Sequence, residues 1–234
     1  MCWSFGASTV LAIIGFVMAF YLWKKKESIL LWLPVGYFGV MELLQALAYP
    51  VLGQCNVPMN QLVTVLGYMH VAFQPFFVNM FAMYFIPKQT RKKIQGFVYT
   101  LCFVGAWLIL LKLFPFDWAG SCAVGQDAFC GTNVCSKAGD WHLAWYIPLN
   151  GIPNLGLIGY TLMTFLLPVL YGSWRMIGYH AIVGPGLAYM LTTNVNEWPA
   201  IWCLFSIGIL LVALYKPLRK KLMAKDWFGR KYPF

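Results

Sequence analysis

Long apolar stretches constrain this chain more than any other feature of its sequence. Seven stretches are each long and apolar enough for a helix that crosses a lipid bilayer, which needs about 20 such residues. They cover residues 4–23, 28–50, 61–86, 94–114, 143–172, 177–193 and 198–215. Backbone polar groups find no partners in lipid, so each crossing must be helical. The sequence therefore predicts an all-α polytopic membrane protein, with a seven-transmembrane-helix bundle over residues 1–216 and a basic tail over residues 217–234.

The composition excludes two other classes of protein. Charged residues make up only 10% of the chain and hydrophobic residues 61%, whereas soluble domains carry roughly 25% charged residues. A soluble enzyme is excluded because its surface would hold too little charge. Intrinsic disorder is excluded because disordered chains are poor in aromatic and aliphatic residues.

Two of the seven stretches are irregular. The fifth is interrupted at Asn150-Gly-Ile-Pro-Asn154, so we expect its outer third to be re-entrant or interfacial. The sixth contains Gly184-Pro185-Gly186, which predicts a kink near its middle. Backbone groups freed at either break must find partners inside the bundle.

The distribution of basic residues predicts the orientation. Of the 17 lysines and arginines, all except Lys112 and Lys137 fall in one set of loops and in the tail. Because basic loops stay in the cytoplasm, the N-terminus is expected outside and the C-terminus inside. The basic tail could instead bind nucleic acid, but no nucleic-acid-binding module accompanies it. Its expected partners are the anionic head groups of the lipid bilayer.

The cysteines indicate an oxidised outer surface. This topology places four of them in outer loops, and the loop 115–142 is polar and rich in glycine. We predict that these four form two disulfides, and the sequence leaves the three possible pairings open. The four are Cys55, Cys122, Cys130 and Cys135. Cys2, also outside, is left over, either free or paired in place of one of the four.

Ionisable residues at membrane depth cost about 2.5–3.5 kcal/mol or more, so each one indicates a functional site. Glu42 and Gln45 share one face of the second helix, and His70 and Gln74 share one face of the third. At 1.5 Å per residue, Glu42 and His70 lie roughly 12 and 15 Å below the outer surface. We therefore predict that Glu42 and His70 are in contact and that the four residues bind a ligand in a cavity that opens outward. The alternative is a buried structural pair that fixes helix packing.

A shallower polar layer contains three further candidates, His142, Asn194 and Glu197. The run from Asn194 to Pro199 could equally be a turn and an N-cap for the seventh helix. His180, nearer the cytoplasmic end, is expected to be a lone imidazole bonded to a backbone carbonyl, although it could also be a ligand.

No cofactor follows from these residues. A divalent metal such as zinc could use Glu42 and His70 with His142 or His180, but their depths differ and no zinc motif is present. A haem held by His70 and His180 meets the same mismatch in depth. Retinal is excluded because residues 198–215 contain no lysine for a Schiff base. Seven-helix zinc hydrolases and rhomboid-like proteases are excluded because the helices lack aspartate and a G-x-S-x motif respectively.

Five segments resemble an uncharacterised family of bacterial multi-pass membrane proteins. They are Met1-Cys-Trp-Ser4, Gly36-Tyr-Phe, Met41-Glu42-Leu-Leu-Gln45-Ala, His70-Val-Ala-Phe-Gln74-Pro-Phe-Phe and Asn196-Glu-Trp-Pro-Ala-Ile-Trp-Cys-Leu-Phe-Ser206. The resemblance implies an inner-membrane protein with a cytoplasmic tail, and it transfers no catalytic residue.

Three classes of function remain. The first is a carrier, channel or receptor that binds an ion, a proton or a small ligand at Glu42 and His70. The second is a membrane-embedded metal-dependent enzyme that uses the same residues. The third is an accessory subunit of a larger membrane complex, in which the polar pairs are structural and other membrane subunits are the partners.

Overall fold

The first half of the chain is a series of long helices. The computed structural model describes residues 3–152, 156–205 and 208–232. The helices are α1 (Phe5–Lys24), α2 (Ile29–Ala48), α3 (Pro58–Ala82) and α4 (Lys88–Leu110), and 3₁₀ turns extend the last three at Tyr49–Val51, Met83–Phe85 and Leu111–Leu113. Ser4 and Ser28 cap α1 and α2 with their hydroxyl groups. These four helices are long and apolar enough to cross a membrane.

The second half is broken into shorter pieces. A π-helical segment (Leu157–Leu166) runs into α5 (Leu167–Leu170), and a second π-helical segment (Ile182–Gly186) joins α6 (Trp174–Ala181) to α7 (Leu187–Leu191). The helices α8 (Trp198–Phe205), α9 (Gly208–Leu214) and α10 (Lys216–Leu222) follow. The break expected at Gly184-Pro185-Gly186 thus takes the form of a π-helical segment.

The structure matches the seven expected spans only in part. Counting the bent run from Trp198 to Leu222 as one span gives up to five candidates within the described ranges. The fifth expected stretch falls short because residues 143–146 form a strand, which leaves the shorter apolar helix Ile158–Leu170. The outer third of that stretch is therefore not helical, and Asn154 within it lies outside the described residues.

Glycines allow the closest approaches between the helices. A Cβ atom on Gly15 of α1 would lie 2.9 Å from the Cα of Gly39 on α2. A Cβ atom on Gly105 of α4 would lie 2.7 Å from the carbonyl oxygen of Gly159 in the first π-helical segment. Small residues permit such close packing between membrane helices, where packing rather than the hydrophobic effect drives association.

A β-hairpin, absent from the sequence prediction, organises the loop between α4 and the first π-helical segment. Strands β1 (Cys135–Ala138) and β2 (Leu143–Tyr146) pair antiparallel, with Cys135 opposite Tyr146. Asn60 of α3 donates to the carbonyl oxygen of Ser136 and accepts from its backbone N–H, so α3 fixes the position of β1. Trp145 of β2 is buried and stacks on Phe129.

Two disulfides stabilise this loop, and one of them attaches it to the bundle. Cys55, between α2 and α3, pairs with Cys135 on β1, and Cys122 pairs with Cys130 across a short loop. The structure thus pairs all four predicted cysteines and selects one of the three possible pairings. Cys102 and Cys203 are buried thiols in α4 and α8, and Cys2 lies outside the described residues.

At the opposite end of the bundle the C-terminal segment is packed rather than free. Arg219 of α10 forms a two-pronged ion pair with Glu27, between α1 and α2, at 3.2 and 3.3 Å. The N–H of Ala224 donates to the carbonyl oxygen of Phe85, just before α4. The basic segments that follow α1, begin α4 and end the chain therefore meet at one end of the molecule, and the disulfides lie at the other.

Candidate functional site

A polar stripe runs along one face of α2 and its 3₁₀ extension. Glu42, Gln45 and Tyr49 are three and four residues apart, which places them on the same side of the helix. Glu42 and Gln45 are fully buried and Tyr49 is half-buried. The two residues nearer the outer loop, Gln45 and Tyr49, are joined by a side chain from another element, His142.

His142, just before β2, bridges two members of the stripe. The Tyr49 hydroxyl lies 2.9 Å from Nδ1 of His142, and Nε2 of His142 lies 2.7 Å from Oε1 of Gln45. Gln45 donates in turn to the carbonyl oxygen of Ala200 on α8, at 3.4 Å. This chain suits a neutral imidazole that accepts at Nδ1 and donates at Nε2. Burial lowers the pKa of His142 to about 3, which keeps the ring neutral.

Glu197, the second acidic candidate, joins the outer loop to the turn before α8. Its carboxylate accepts from the backbone N–H groups of Asp140, Trp141 and His142 and from the hydroxyl of Thr192. Four donors satisfy both oxygens of this buried side chain, so it has no free capacity for a ligand. Glu197 therefore positions the loop and, through it, His142.

Glu42 is as buried as Glu197 but lacks the hydrogen bonds that Glu197 accepts. Neither of its carboxylate oxygens has a hydrogen-bond partner, and the side chain is fully buried. The hydroxyl of Ser8 on α1 interacts with it electrostatically and accepts a hydrogen bond from Nε1 of Trp3 at 3.0 Å. Glu42 is thus a buried acidic group without a fixed partner.

His70 and Glu42 share no hydrogen bond, and the predicted contact between them stays a prediction. The His70 ring stacks on Tyr37 of α2, and its Nε2 lies 2.8 Å from the Tyr37 carbonyl oxygen. Its Nδ1 has no partner. The physical reason is rotational, because Tyr37 and Glu42 are five residues apart and point about 140° apart around α2.

Gln74, the fourth predicted residue, lines a cavity. Its Oε1 accepts from the hydroxyl of Tyr160 at 2.8 Å, and its buried amide nitrogen has no partner. The cavity has a volume of about 340 Å³ and lies among α3, the end of α4, the first π-helical segment, α7 and α8. Its wall includes Gln74 and Tyr160 but not Glu42, Gln45 or His70.

Aromatic rings form much of the wall of this cavity, and two charged side chains line another part of it. The rings are those of Tyr68, Phe129, Tyr160, Trp198 and Trp202. Lys112 at the end of α4 and the exposed Asp127 of the outer loop complete the wall. Because Asp127 belongs to the disulfide-bonded loop, the cavity extends to the same end of the molecule as the loop.

The two remaining candidates, His180 and Asn194, have neighbours that indicate a structural role. The His180 ring is buried between Phe165 and Trp202, and its Nε2 has no partner, so the expected bond to a backbone carbonyl is absent at that atom. Asn194 forms the predicted turn, since its Oδ1 accepts from the N–H of Asn196. Within the described ranges no group of three or more His, Cys, Asp or Glu side chains could hold a metal ion, so the predicted metal candidates do not converge.

Sequence reasoning missed the hydroxyl groups of this region. Tyr37, Tyr160 and Ser8 each interact with one of the four predicted residues. A buried tyrosine normally finds a partner for its hydroxyl, so tyrosines at membrane depth are the signal that could have identified two of them.

Comparison with known proteins places the chain in a family without assigning it an activity. A family model described as a family of unknown function (DUF5765) matches residues 6–223. No curated protein and no solved structure matches the chain.

Proposed function

The chain belongs to DUF5765, a family of unknown function, and because membership brings no activity with it, we propose from the geometry alone that the protein binds a small molecule in the Gln74 cavity. The protein would then be an integral membrane protein of the carrier or receptor type. The ligand would enter from the end of the molecule that carries the disulfides.

The unpartnered amide of Gln74 is the observation that carries this proposal. Buried amide nitrogens are almost always hydrogen-bonded, and leaving one unpaired costs roughly 1–3 kcal/mol. Tyr160 already occupies the oxygen of Gln74, which leaves the buried NH₂ group of this cavity-lining residue without an acceptor. A ligand that offers an oxygen acceptor would satisfy it.

The walls restrict the class of ligand. Five aromatic rings favour a flat, mostly apolar body, and a volume of about 340 Å³ is at the small end of the usual range for ligand pockets. Lys112 and Asp127 carry opposite charges and favour a neutral or zwitterionic outer end. We therefore expect a small, largely apolar molecule with a carbonyl or hydroxyl oxygen at its inner end.

The test compares two tryptophan substitutions on α7. Ala188 is buried in the cavity wall, whereas Met190, two residues later, is 79% exposed. Ala188→Trp should fill the cavity, and Met190→Trp adds the same side chain outside it. Mass spectrometry of organic extracts from purified wild type should detect a retained small molecule that Ala188→Trp loses and Met190→Trp keeps. Gln74→Leu, which removes the donor without filling space, should lose it as well.

Extracts that are the same for all four proteins would contradict the proposal, provided each elutes as a folded monodisperse species. Empty extracts together with a stoichiometric co-purifying membrane protein would favour the accessory-subunit alternative instead.

The membrane topology is part of the same proposal. We place seven spans in a bacterial inner membrane, the fifth formed by the shorter segment Leu157–Leu170 instead of residues 143–172, with the basic end cytoplasmic and the disulfide-bonded end outside. Support comes from the four helices long enough to span, from the meeting of the basic segments at one end and from the two disulfides at the other. In intact cells, an impermeant thiol reagent should label Lys137→Cys above the wild-type background and should leave Lys221→Cys unlabelled. Labelling of Lys221→Cys from outside would overturn the orientation.

A further inference from the structure

Glu42 is a buried acidic group that the cavity does not use. It is absent from the cavity wall, its two oxygens have no hydrogen-bond partner, and none of its surface is exposed. An ionised carboxylate in such surroundings is costly unless a counter-charge or several donors accompany it. Something must therefore neutralise Glu42, and the neighbouring groups decide between a proton and a metal cation.

The neighbours of Glu42 offer little to a metal cation. Metal ions that favour oxygen require about six ligands, and the side chain from another helix that offers Glu42 an oxygen is Ser8 of α1. One lone pair of the Ser8 oxygen already accepts from the indole N–H of Trp3. That arrangement leaves the hydroxyl hydrogen of Ser8 free to point towards Glu42, so Ser8 offers Glu42 a donor rather than a lone pair for a cation.

The described side chains that interact with Glu42 are all uncharged. Tyr49 on its own helix and Cys203 on α8 interact with it electrostatically, and α1 contributes Ser8. His70 on α3 bonds to Tyr37 instead. None of these groups supplies the positive charge that would hold Glu42 ionised.

Along its own helix, polar side chains continue from Glu42 towards one end of the molecule. Towards the disulfide-bonded end, the same helix face carries Gln45 and Tyr49, which His142 joins. Towards the basic end, α2 buries apolar side chains at Phe38, Val35 and Leu31. A proton could therefore reach Glu42 along α2 from the disulfide-bonded end, whereas these buried side chains towards the basic end are apolar. Cys203 offers a second polar neighbour, since its thiol lies 4.0 Å from Oε1 of Gln74.

We propose that Glu42 is a proton-binding site, distinct from the Gln74 cavity, that exchanges its proton with the disulfide-bonded end of the molecule through the stripe of Gln45, His142 and Tyr49. The binding atom is a carboxylate oxygen of Glu42, and water at that end supplies and receives the proton. This site does not depend on whether the cavity binds a ligand.

Infrared spectroscopy of the protein in lipid vesicles tests the site directly. The chain has only seven acidic residues, and Glu42, Glu27 and Glu197 are its glutamates. At neutral pH the wild type should show a carbonyl band of a protonated carboxyl group that Glu42→Gln abolishes and Glu27→Gln retains. Ser8→Ala should shift this band without removing it, which keeps the assignment testable if Glu42→Gln does not fold.

Three outcomes would overturn the proposal. The first is a spectrum without any such band, and the second is a band that neither the Glu42 nor the Ser8 substitution changes. The third is a band that is absent in sodium chloride and emerges when a large organic cation replaces sodium, which would identify a cation site.

The route is tested by the rate at which the band shifts after transfer to deuterated water. Gln45→Leu interrupts the polar stripe and should slow this exchange several-fold relative to wild type. Gln61→Leu, at an exposed position on α3, is the matched control and should exchange like wild type. Equal rates in both variants would show that the proton reaches Glu42 by another route.

Discussion

Tyr37 and His70 bond to each other's backbone across α2 and α3. The hydroxyl of Tyr37 donates to the carbonyl oxygen of His70, and Nε2 of His70 donates to the carbonyl oxygen of Tyr37 at 2.8 Å. Their rings stack with centroids 3.8 Å apart, and Phe77 stacks on the other face of Tyr37. His70 therefore joins α2 to α3. Because its Nε2 is bonded to Tyr37, His70 is not part of the proposed proton site.

We expect Tyr37→Phe to destabilise the protein although it keeps the stacked ring. The lost hydroxyl bond contributes about 1 kcal/mol, which corresponds to roughly 2–4 °C in the unfolding temperature for a chain of this size. Thermal unfolding in detergent measures the shift. Tyr189→Phe, at a position 72% exposed, is the control and should unfold like wild type. An unchanged unfolding temperature for Tyr37→Phe would mean that the hydroxyl bond adds no net stability.

Glu197→Gln should cost more, because it removes a charge that four donors hold in a buried site. One amide oxygen cannot replace two carboxylate oxygens, and the new NH₂ group would face backbone N–H groups. We expect a loss of about 1.5–3 kcal/mol in unfolding free energy, the range for hydrogen bonds to charged groups. Asp117→Asn, an exposed acidic residue in the same loop, should leave stability unchanged. Comparable stability in the two variants would contradict the anchoring role.

The sequence predicts the first half of this fold better than the second. Helices α1 to α4 begin and end within a few residues of the apolar stretches, because length and hydropathy alone decide them. Residues 143–146 are as apolar as a span, yet they form β2, because Cys135 is tied to Cys55 and β1 needs a partner strand. Apolar composition cannot separate a buried strand from a helix.

The sequence identified several residues of the candidate site but not the groups to which they bond. The structure joins Gln45, from the deeper predicted set, to His142 and Glu197 of the shallower layer, and Gln74 lines a cavity. Matching depths suggested Glu42 and His70 as a pair, but depth leaves the rotation of each helix undetermined. The rotation of each helix depends on how side chains such as Tyr37 pack. A pattern of polar residues carries no information about that packing.

Two glycines on α4 provide a matched pair of substitutions. A methyl group on Gly105 would collide with the backbone of Gly159 and with Met163, whereas nothing lies within 4 Å of the corresponding position on Gly96. Gly105→Ala should destabilise by about 1–3 kcal/mol through overpacking. Gly96→Ala should be neutral or should stabilise by roughly 0.5–1 kcal/mol, because alanine favours the helix. The order of their unfolding temperatures checks this, and a reversed order would contradict the close contact.

The two disulfides should differ in their contribution to stability. Cys55 and Cys135 are 80 residues apart in sequence, whereas Cys122 and Cys130 are 8 apart. Because the larger loop restricts the unfolded chain more, removing the first bridge should cost about 2 kcal/mol more than removing the second. Double serine substitutions at each bridge measure the two losses. Peptide mapping without reductant should recover these two pairs, and four free thiols in the oxidised protein would contradict both.

Protonation of His142 should weaken the outer loop in mild acid. Its pKa is about 6.5 in an unfolded chain and falls to about 3 in the folded protein because the ring is buried. Between these values the unfolded state binds a proton that the folded state does not, so stability falls as the pH drops below about 6.5. The slope for one such group approaches 1.4 kcal/mol per pH unit at its steepest, and the loss ends near the folded pKa.

Comparison with His142→Gln isolates this contribution from those of the other two histidines. The variant should be less stable than wild type at neutral pH, because a glutamine cannot reach both Tyr49 and Gln45 with the geometry of the ring. Its stability should decline less steeply in acid, so the two curves of unfolding temperature against pH should converge between about pH 7 and pH 4. Parallel curves would mean that His142 takes up its proton equally in the folded and unfolded states, and the neutral chain from Tyr49 to Gln45 would then be wrong.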